Sequence, residues 1–138
     1  SSVDNAERLF DDAKAVEQEY YRETGIFPIM HAVVLRDSLI ENEPWVLQKL
    51  YDAFEAAKET GLSVLDRPRE LPLGWADISR DEQQAIMGED PWEYGLTEDN
   101  VTTVETLVGY AHDQGVASER YDVADLFETE RLDTPYFA

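Results

Sequence analysis

One apolar segment, Gly25-Ile-Phe-Pro-Ile-Met-His-Ala-Val-Val-Leu-Arg36, sets the expected architecture of this 138-residue chain. From Ile29 to Leu35 the segment is almost continuously apolar and includes two adjacent β-branched residues. Such a run is typical of a strand that is buried on both faces, as in a parallel sheet covered by helices. Pro28 fits the first position of that strand. We therefore predict a buried strand over residues 29–35 and an α/β fold.

Helical spacing of apolar residues flanks this strand on both sides. Each predicted helix begins near a residue that caps or opens helices, such as Asp4 or Asn5, Pro44, Ser79 and Thr97. The predicted helices cover residues 4–23, 42–61, 79–87, 97–114 and 123–127. We expect residues 62–78 to form an irregular connection and residues 88–95 to be rich in turns.

Two consequences follow from this pattern of elements. The aromatic residues Trp45 and Phe54 share the apolar stripe of the second helix, so we predict that they are core. A single buried strand cannot satisfy its own backbone N–H and C=O groups. We therefore expect the partner strands to lie outside these 138 residues, in a longer α/β protein of which this chain is the C-terminal part.

Composition excludes several classes of function. The net charge is −20, which argues against non-specific nucleic-acid binding and against attraction to an anionic membrane surface. The absence of cysteine excludes disulfides and thiolate chemistry within the chain. No apolar run reaches the roughly 20 residues that span a bilayer, and no signal peptide is visible. We expect a cytoplasmic protein, or an extracytoplasmic one if a signal peptide lies upstream.

The numbers of basic and acidic residues favour a protein that works at high salt. Three Lys and eight Arg stand against 31 carboxylates that are spread along the whole chain. At molar salt the Debye length is about 3 Å, so like charges on such a surface barely repel one another. We predict a protein from a salt-adapted organism. An ordinary acidic domain is the alternative, and neither interpretation identifies a reaction.

Four segments, in order, resemble the C-terminal half of 4,5-dihydroxyphthalate decarboxylase-like proteins. Each is short, but together they span most of the chain. They are Thr24-Gly-Ile-Phe-Pro-Ile-Met-His31, Glu43-Pro-Trp-Val with Leu50-Tyr-Asp-Ala-Phe-Glu-Ala-Ala-Lys58, Asp90-Pro-Trp-Glu-Tyr-Gly-Leu96, and Tyr110-Ala-His-Asp-Gln-Gly115 with Leu126-Phe127.

The resemblance implies a type 2 periplasmic-binding-protein-like fold with two α/β lobes and a cleft between them. Residues 1–25 would then form a helix that leads to the crossover between lobes. Residues 26–138 would supply one strand and the helices that complete the first lobe. The missing N-terminal half of the same protein would be the partner of this portion, with no membrane insertion. Ligands of open α/β folds bind at strand ends, so Thr24–His31 would lie near the cleft.

The resemblance also implies a substrate class, a small aromatic or organic acid that loses CO2. His31 is the candidate catalytic proton donor, because histidine is the side chain that most readily exchanges protons near neutral pH. Thr24 and Phe27, beside the cleft, are candidate substrate-binding residues. The alternative for His31 is a structural histidine that hydrogen-bonds a neighbouring loop.

Further candidates come from the residues themselves. Tyr94 lies with Trp92 in the turn-rich segment, where exposed aromatic side chains often contact ligands; the alternative for both residues is that they cover a hydrophobic edge. For Arg36 we expect an ion pair or a helix cap rather than a substrate clamp. Arg22 and His112 are expected near helix C-termini, where a cation is favoured by the helix dipole.

The sequence shows no signature of a cofactor or a metal. The glycines form neither a phosphate-binding loop nor a dinucleotide fingerprint, and the two histidines lack the spacing of metal ligands. We therefore expect a cofactor-free carboxy-lyase. The fold also serves solute-binding proteins, so the alternative is a protein that captures a small organic anion for transport.

Overall fold

Six helices make up the regular structure in the computed structural model of the chain, which describes residues 7–67 and 71–128. Each helix is followed by a short irregular segment. The helices are α1 (Ala13–Thr24), α2 (Asp37–Asn42), α3 (Trp45–Leu65), α4 (Ala76–Met87), α5 (Glu98–Asp113) and α6 (Val123–Leu126). No helix in the described ranges is both long and apolar enough to cross a membrane.

Helix α1 begins later than predicted. Residues 7–12 are not helical, and Asp12 caps the helix by accepting a hydrogen bond from the Ala15 N–H at 3.0 Å. The caps expected at residues 4 and 5 lie outside the described residues. The end of α1 is as predicted: Gly25 adopts φ +68°, and its N–H donates to the Tyr21 carbonyl at 2.7 Å. A left-handed residue at this position favours glycine.

The region from residue 37 to residue 87 differs from the prediction in three places. Helix α2 was not predicted. Helix α3 continues through Gly61, where the prediction ended it, because one glycine costs only about 1 kcal/mol and apolar residues continue beyond it. Helix α4 begins at Ala76, so Ser79 is an interior residue rather than a cap. The predicted irregular connection is therefore helical at both of its ends.

The two last helices match their predictions closely. The Thr97 side chain caps α5 by accepting from the Asn100 N–H at 3.2 Å, and Gly115 lies just beyond its end with φ +71°. Helix α6 is capped by Asp122, whose carboxylate accepts from the Ala124 N–H at 3.0 Å.

No strand forms in residues 7–67 and 71–128, so the strand predicted over residues 29–35 is absent here. Its apolar side chains stay open to solvent, with Met30 78% and Val34 88% exposed. A strand needs a second chain segment to receive its backbone hydrogen bonds, and these residues offer none. The mostly helical structure is compatible with a portion of an α/β protein.

Burial is sparse across the described residues. Only Thr103, Val104 and Val123 are buried, where α5 meets α6. The predicted core residues Trp45 and Phe54 are 61% and 41% exposed, so that prediction was wrong for this structure. Helix α3 is amphipathic, and within these ranges it contacts α2, α4 and the turn before α5. Amphipathic spacing identifies the apolar face of a helix but does not supply what covers it.

Candidate functional site

Several hydrogen bonds hold the turn Asp90–Gly95. Asp90 accepts from the Trp92 N–H at 3.1 Å. Asn100, in the first turn of α5, donates from its side-chain amide to the Glu93 carbonyl at 3.2 Å and to the Gly95 carbonyl at 2.8 Å. Gly95 adopts φ +96°, which only glycine accepts readily. Side chains at both ends thus hold the turn in one conformation.

Phe27 contacts this turn through an aromatic pair. The rings of Phe27 and Trp92 meet edge to face, with centroids 5.4 Å apart and planes at 88°. The geometry brings the positive edge of one ring against the negative face of the other. The contact joins the Thr24–His31 segment, predicted to lie at a cleft, to the turn that carries Tyr94.

Lys58 of α3 lies beneath the turn. Its Nζ donates to Asp90 at 2.8 Å, and Glu55 lies 3.1 Å from the same nitrogen. The side chain of Lys58 is only 10% exposed. Burial by itself lowers the pKa of Lys58, but the hydrogen bonds to Asp90 and Glu55 outweigh burial and raise that pKa above its ordinary value. Lys58 is therefore a paired ammonium.

Tyr94, a predicted substrate-binding residue, packs against α3. The Lys58 ammonium lies 5.0 Å from the centre of its ring, within the range of a cation–π interaction. Phe54 approaches the same ring at 6.2 Å with an interplanar angle of 70°. The Tyr94 carbonyl lies 3.5 Å from the Tyr51 hydroxyl. These contacts place Tyr94 at the junction between α3 and the turn, with 40% of its surface still exposed.

Thr24 has local partners that account for its hydroxyl. Its Oγ1 donates to the Tyr20 carbonyl at 2.7 Å and accepts from the Ile26 N–H at 3.1 Å. The hydroxyl thus bonds the last turn of α1 to the first residues after it, which lead to Phe27. Its predicted contact with a substrate stays a prediction.

His31 is exposed, and its side chain makes no hydrogen bond or ion pair with the residues in 7–67 and 71–128. The loop partner that a structural histidine would use is therefore not found in these ranges. An exposed imidazole can exchange protons with solvent and with a ligand. Its catalytic role stays a prediction.

Arg36 lines a surface cavity that the sequence did not reveal. The cavity has a volume of about 540 Å³ and combines apolar with polar side chains. Its lining residues are Val34, Leu35, Arg36, Ser38, Leu39 and Asn42. Arg36 occupies the N-cap position of α2, but its side chain makes no capping hydrogen bond. Its guanidinium forms no ion pair within residues 7–67 and 71–128, so the expected ion pair stays a prediction.

Arg22 and His112 lie near helix C-termini, as predicted from the helix dipole. Arg22 is in the last turn of α1, with its guanidinium 3.2 Å from Glu19. His112 is in the last turn of α5, with Nδ1 3.2 Å from Asp113. Hydrogen bonds from Arg120 and from His112 hold the pKa of Asp113 below its ordinary value. These residues are accounted for by helix ends rather than by a ligand site.

Two acidic side chains, Asp99 and Glu93, lie near Tyr21 of α1. Burial raises the pKa of Tyr21, and the nearby carboxylates of Asp99 and Glu93 raise it further. This side of the turn is therefore anionic and disfavours a carboxylate ligand. Across residues 7–67 and 71–128, no three histidine, aspartate or glutamate side chains gather as a metal site.

Comparison with known proteins gives one relationship. No protein-family model matches the chain. A 4,5-dihydroxyphthalate decarboxylase from Comamonas testosteroni is 31% identical to it over 128 residues. The match covers 91% of this chain and 38% of that protein, so the chain spans well under half the length of its relative. The chain is thus related to a part of this decarboxylase, as its four segments predicted.

Proposed function

We propose that the chain, as a relative of 4,5-dihydroxyphthalate decarboxylase, is part of a decarboxylase-like protein that acts on a small aromatic or organic acid. The observation that carries the proposal is the 31% identity over 91% of the chain. On this proposal, the described helices complete one lobe of a two-lobe, periplasmic-binding-protein-like fold. The rest of the same protein supplies the remaining strands, and the ligand binds in the cleft between the lobes.

Decarboxylation of an aromatic acid breaks the bond between a ring carbon and its carboxylate. CO2 leaves, the electron pair stays on the ring carbon, and a proton must be added there. In the proposed mechanism the His31 imidazolium donates that proton, and solvent then reprotonates the imidazole. The exposed, unpartnered imidazole of His31 supports this assignment, because no other described group competes for its ring nitrogens.

Binding of the acid requires an apolar surface for the ring and a cation for a carboxylate. In the proposal Phe27, which contacts the turn through Trp92, supplies ring surface, and Thr24 and Tyr94 are the other substrate-binding residues. Arg36 is the candidate cation, since its guanidinium has no carboxylate partner in the described ranges and Arg36 lines a surface cavity together with apolar and polar residues. Lys58 does not serve here, because two carboxylates of the chain already neutralise it.

The decisive experiment mixes the full-length protein that contains this chain with 4,5-dihydroxyphthalate in molar KCl. CO2 release and formation of 3,4-dihydroxybenzoate are followed, with phthalate as a control that lacks the ring hydroxyls. Product formation with 4,5-dihydroxyphthalate is the expected result. Saturable binding without turnover would replace the proposal with a solute-binding function. Neither binding nor turnover would exclude this substrate and call for a screen of other organic acids.

A further inference from the structure

We propose that Lys58 is a positioning residue, which acts through Asp90 and Trp92 to hold Phe27 at the ligand side of the site. The role at the ligand rests on the proposed function, but the positioning itself does not.

A continuous series of contacts connects Lys58 to Phe27. The Lys58 ammonium donates to Oδ2 of Asp90 at 2.8 Å. The other oxygen of the same carboxylate, Oδ1, accepts from the Trp92 N–H at 3.1 Å. The Trp92 ring then meets the Phe27 ring edge to face at 5.4 Å. Asp90 thus uses one oxygen for Lys58 and the other for the turn, so the lysine fixes the orientation of the carboxylate that orients the turn.

The burial of Lys58 sets it apart from the other lysines of the chain. The side chains of Lys14 and Lys49 are 64% and 71% exposed, whereas that of Lys58 is 10% exposed. A buried ammonium is tolerated only where it is paired and hydrogen-bonded, and desolvation strengthens the bonds it then makes. Lys58 meets both conditions with Asp90 and Glu55, and the Tyr94 ring covers it at 5.0 Å. In the pair with Asp90 only the lysine is buried, since the Asp90 side chain is 43% exposed.

Lys58 acts on the ligand indirectly. Its ammonium hydrogen-bonds two carboxylates of the chain, and a ligand carboxylate would have to displace one of them. Lys58 therefore affects where the Phe27 and Trp92 rings lie. A displaced ring weakens the binding of an aromatic acid more than it slows the proton transfer. Loss of Lys58 should then raise KM for the acid and leave kcat nearly unchanged.

The first test follows Trp92 directly, without any ligand. In the 138-residue chain, replacing Trp45 and Trp75 by Phe leaves Trp92 as the single tryptophan, and its fluorescence quenching by acrylamide reports its exposure. In this background Lys58→Met should raise the quenching constant about twofold, since the free turn exposes the ring. The matched control is Lys49→Met, on the same helix but with an exposed ion pair to Asp52, which should leave quenching unchanged.

A second variant keeps the test valid if Lys58→Met does not fold. Asp90→Asn weakens the same series of contacts at an exposed residue, and it should also raise the quenching of Trp92. The double variant Lys58→Met/Asp90→Asn should show little more quenching than either single variant, because both break one series of contacts. Additive effects would contradict the series, and equal quenching in Lys58→Met and Lys49→Met would overturn the proposal.

The kinetic test uses the full-length protein and 4,5-dihydroxyphthalate. Lys58→Met should raise KM about fivefold to tenfold, as expected for loss of one charge-assisted hydrogen bond, with kcat changed less than twofold. Lys49→Met should change neither parameter. A fall in kcat with unchanged KM would contradict a positioning role. If the unsubstituted protein neither binds nor converts the acid, the proposed function fails, and the quenching of Trp92 still decides the role of Lys58.

Discussion

Phe27 and Trp92 form an edge-to-face pair whose ring centroids are 5.4 Å apart. One ring follows α1 and the other precedes α5, so the pair joins two segments that are distant in sequence. Aromatic pairs of this geometry are worth about 0.5–1.5 kcal/mol beyond the area they bury. The pair is therefore a specific contact that fixes where the Thr24–His31 segment leaves α1.

Trp92→Leu should lower the free energy of unfolding by about 1–2 kcal/mol, because it removes the ring that Phe27 packs against. The control is Trp75→Leu, since Trp75 is 76% exposed and has no aromatic partner in the described ranges. Urea unfolding followed by circular dichroism measures both variants. Equal losses of stability would show that the Phe27–Trp92 contact contributes nothing specific.

His31→Ala in the full-length protein should reduce kcat for decarboxylation by about 10²–10⁴-fold, the range typical of a lost general acid. Binding of the acid, measured by calorimetry, should be preserved. His112→Ala is the matched control, because His112 pairs with Asp113 at the end of α5 and should leave kcat unchanged. Parallel loss of binding and of folding stability in His31→Ala would instead indicate a structural histidine.

The link between α1 and α4 predicts a pH dependence of stability. Glu82 accepts hydrogen bonds from Gln18, at 2.9 Å, and from Lys14, and these bonds hold its pKa below the ordinary value of 4.5. A carboxyl group whose folded-state pKa is lowered stabilises the fold above its unfolded pKa. That contribution is complete above about pH 4.5 and is lost as the pH falls through the folded-state pKa.

Comparison of the unsubstituted chain with Glu82→Gln tests this link. The difference in Tm between the two proteins should be constant above about pH 5 and shrink as the pH falls below 4.5. Glu105→Gln is the control, because Glu105 makes no hydrogen bond or ion pair with residues 7–67 and 71–128. A Tm difference that does not change with pH would exclude a contribution from Glu82.

The net charge of −20 predicts a strong response to salt. Raising KCl from 0.1 M to 1 M shortens the Debye length from about 10 Å to about 3 Å, so carboxylate repulsion is screened. We expect the Tm of the protein to rise steadily up to molar KCl, as proposed for a salt-adapted protein. Sucrose at matched osmolality is the control for general exclusion of solutes. A flat response to KCl would exclude salt adaptation of this surface.

Local signals in the sequence were accurate where one or two residues are sufficient to specify the start or the end of a helix. Thr97 and Gly25 were identified as the start and the end of helices, and both occupy those positions. A cap is a hydrogen bond between groups a few residues apart, so residue type and spacing specify it. The cap expected at Ser79 was wrong, because a helix that begins at Ala76 makes the same residues interior.

Non-local features were not predicted. Lys58, Asp90 and Tyr94 form a cluster of residues from two segments far apart in sequence, and the sequence did not predict that these segments contact each other. The cavity beside Arg36 depends on α2, a six-residue helix that the apolar pattern did not indicate. The predicted burial of Trp45 and Phe54 failed for the same reason, since periodicity specifies a face and not its partner.

The sequence by itself determined the helical character of the chain, several of the helix ends, the acidic charge and the relationship to a decarboxylase. Each of these depends on composition, on spacing or on residues near one another in the chain. Only the tertiary structure decided that Lys58 is neutralised by Asp90 and Glu55, that Phe27 packs on Trp92 and that residues 29–35 form no strand with any part of residues 7–67 and 71–128. The reason is physical: pairing, burial and sheet formation require a second group, and its position depends on how whole elements pack.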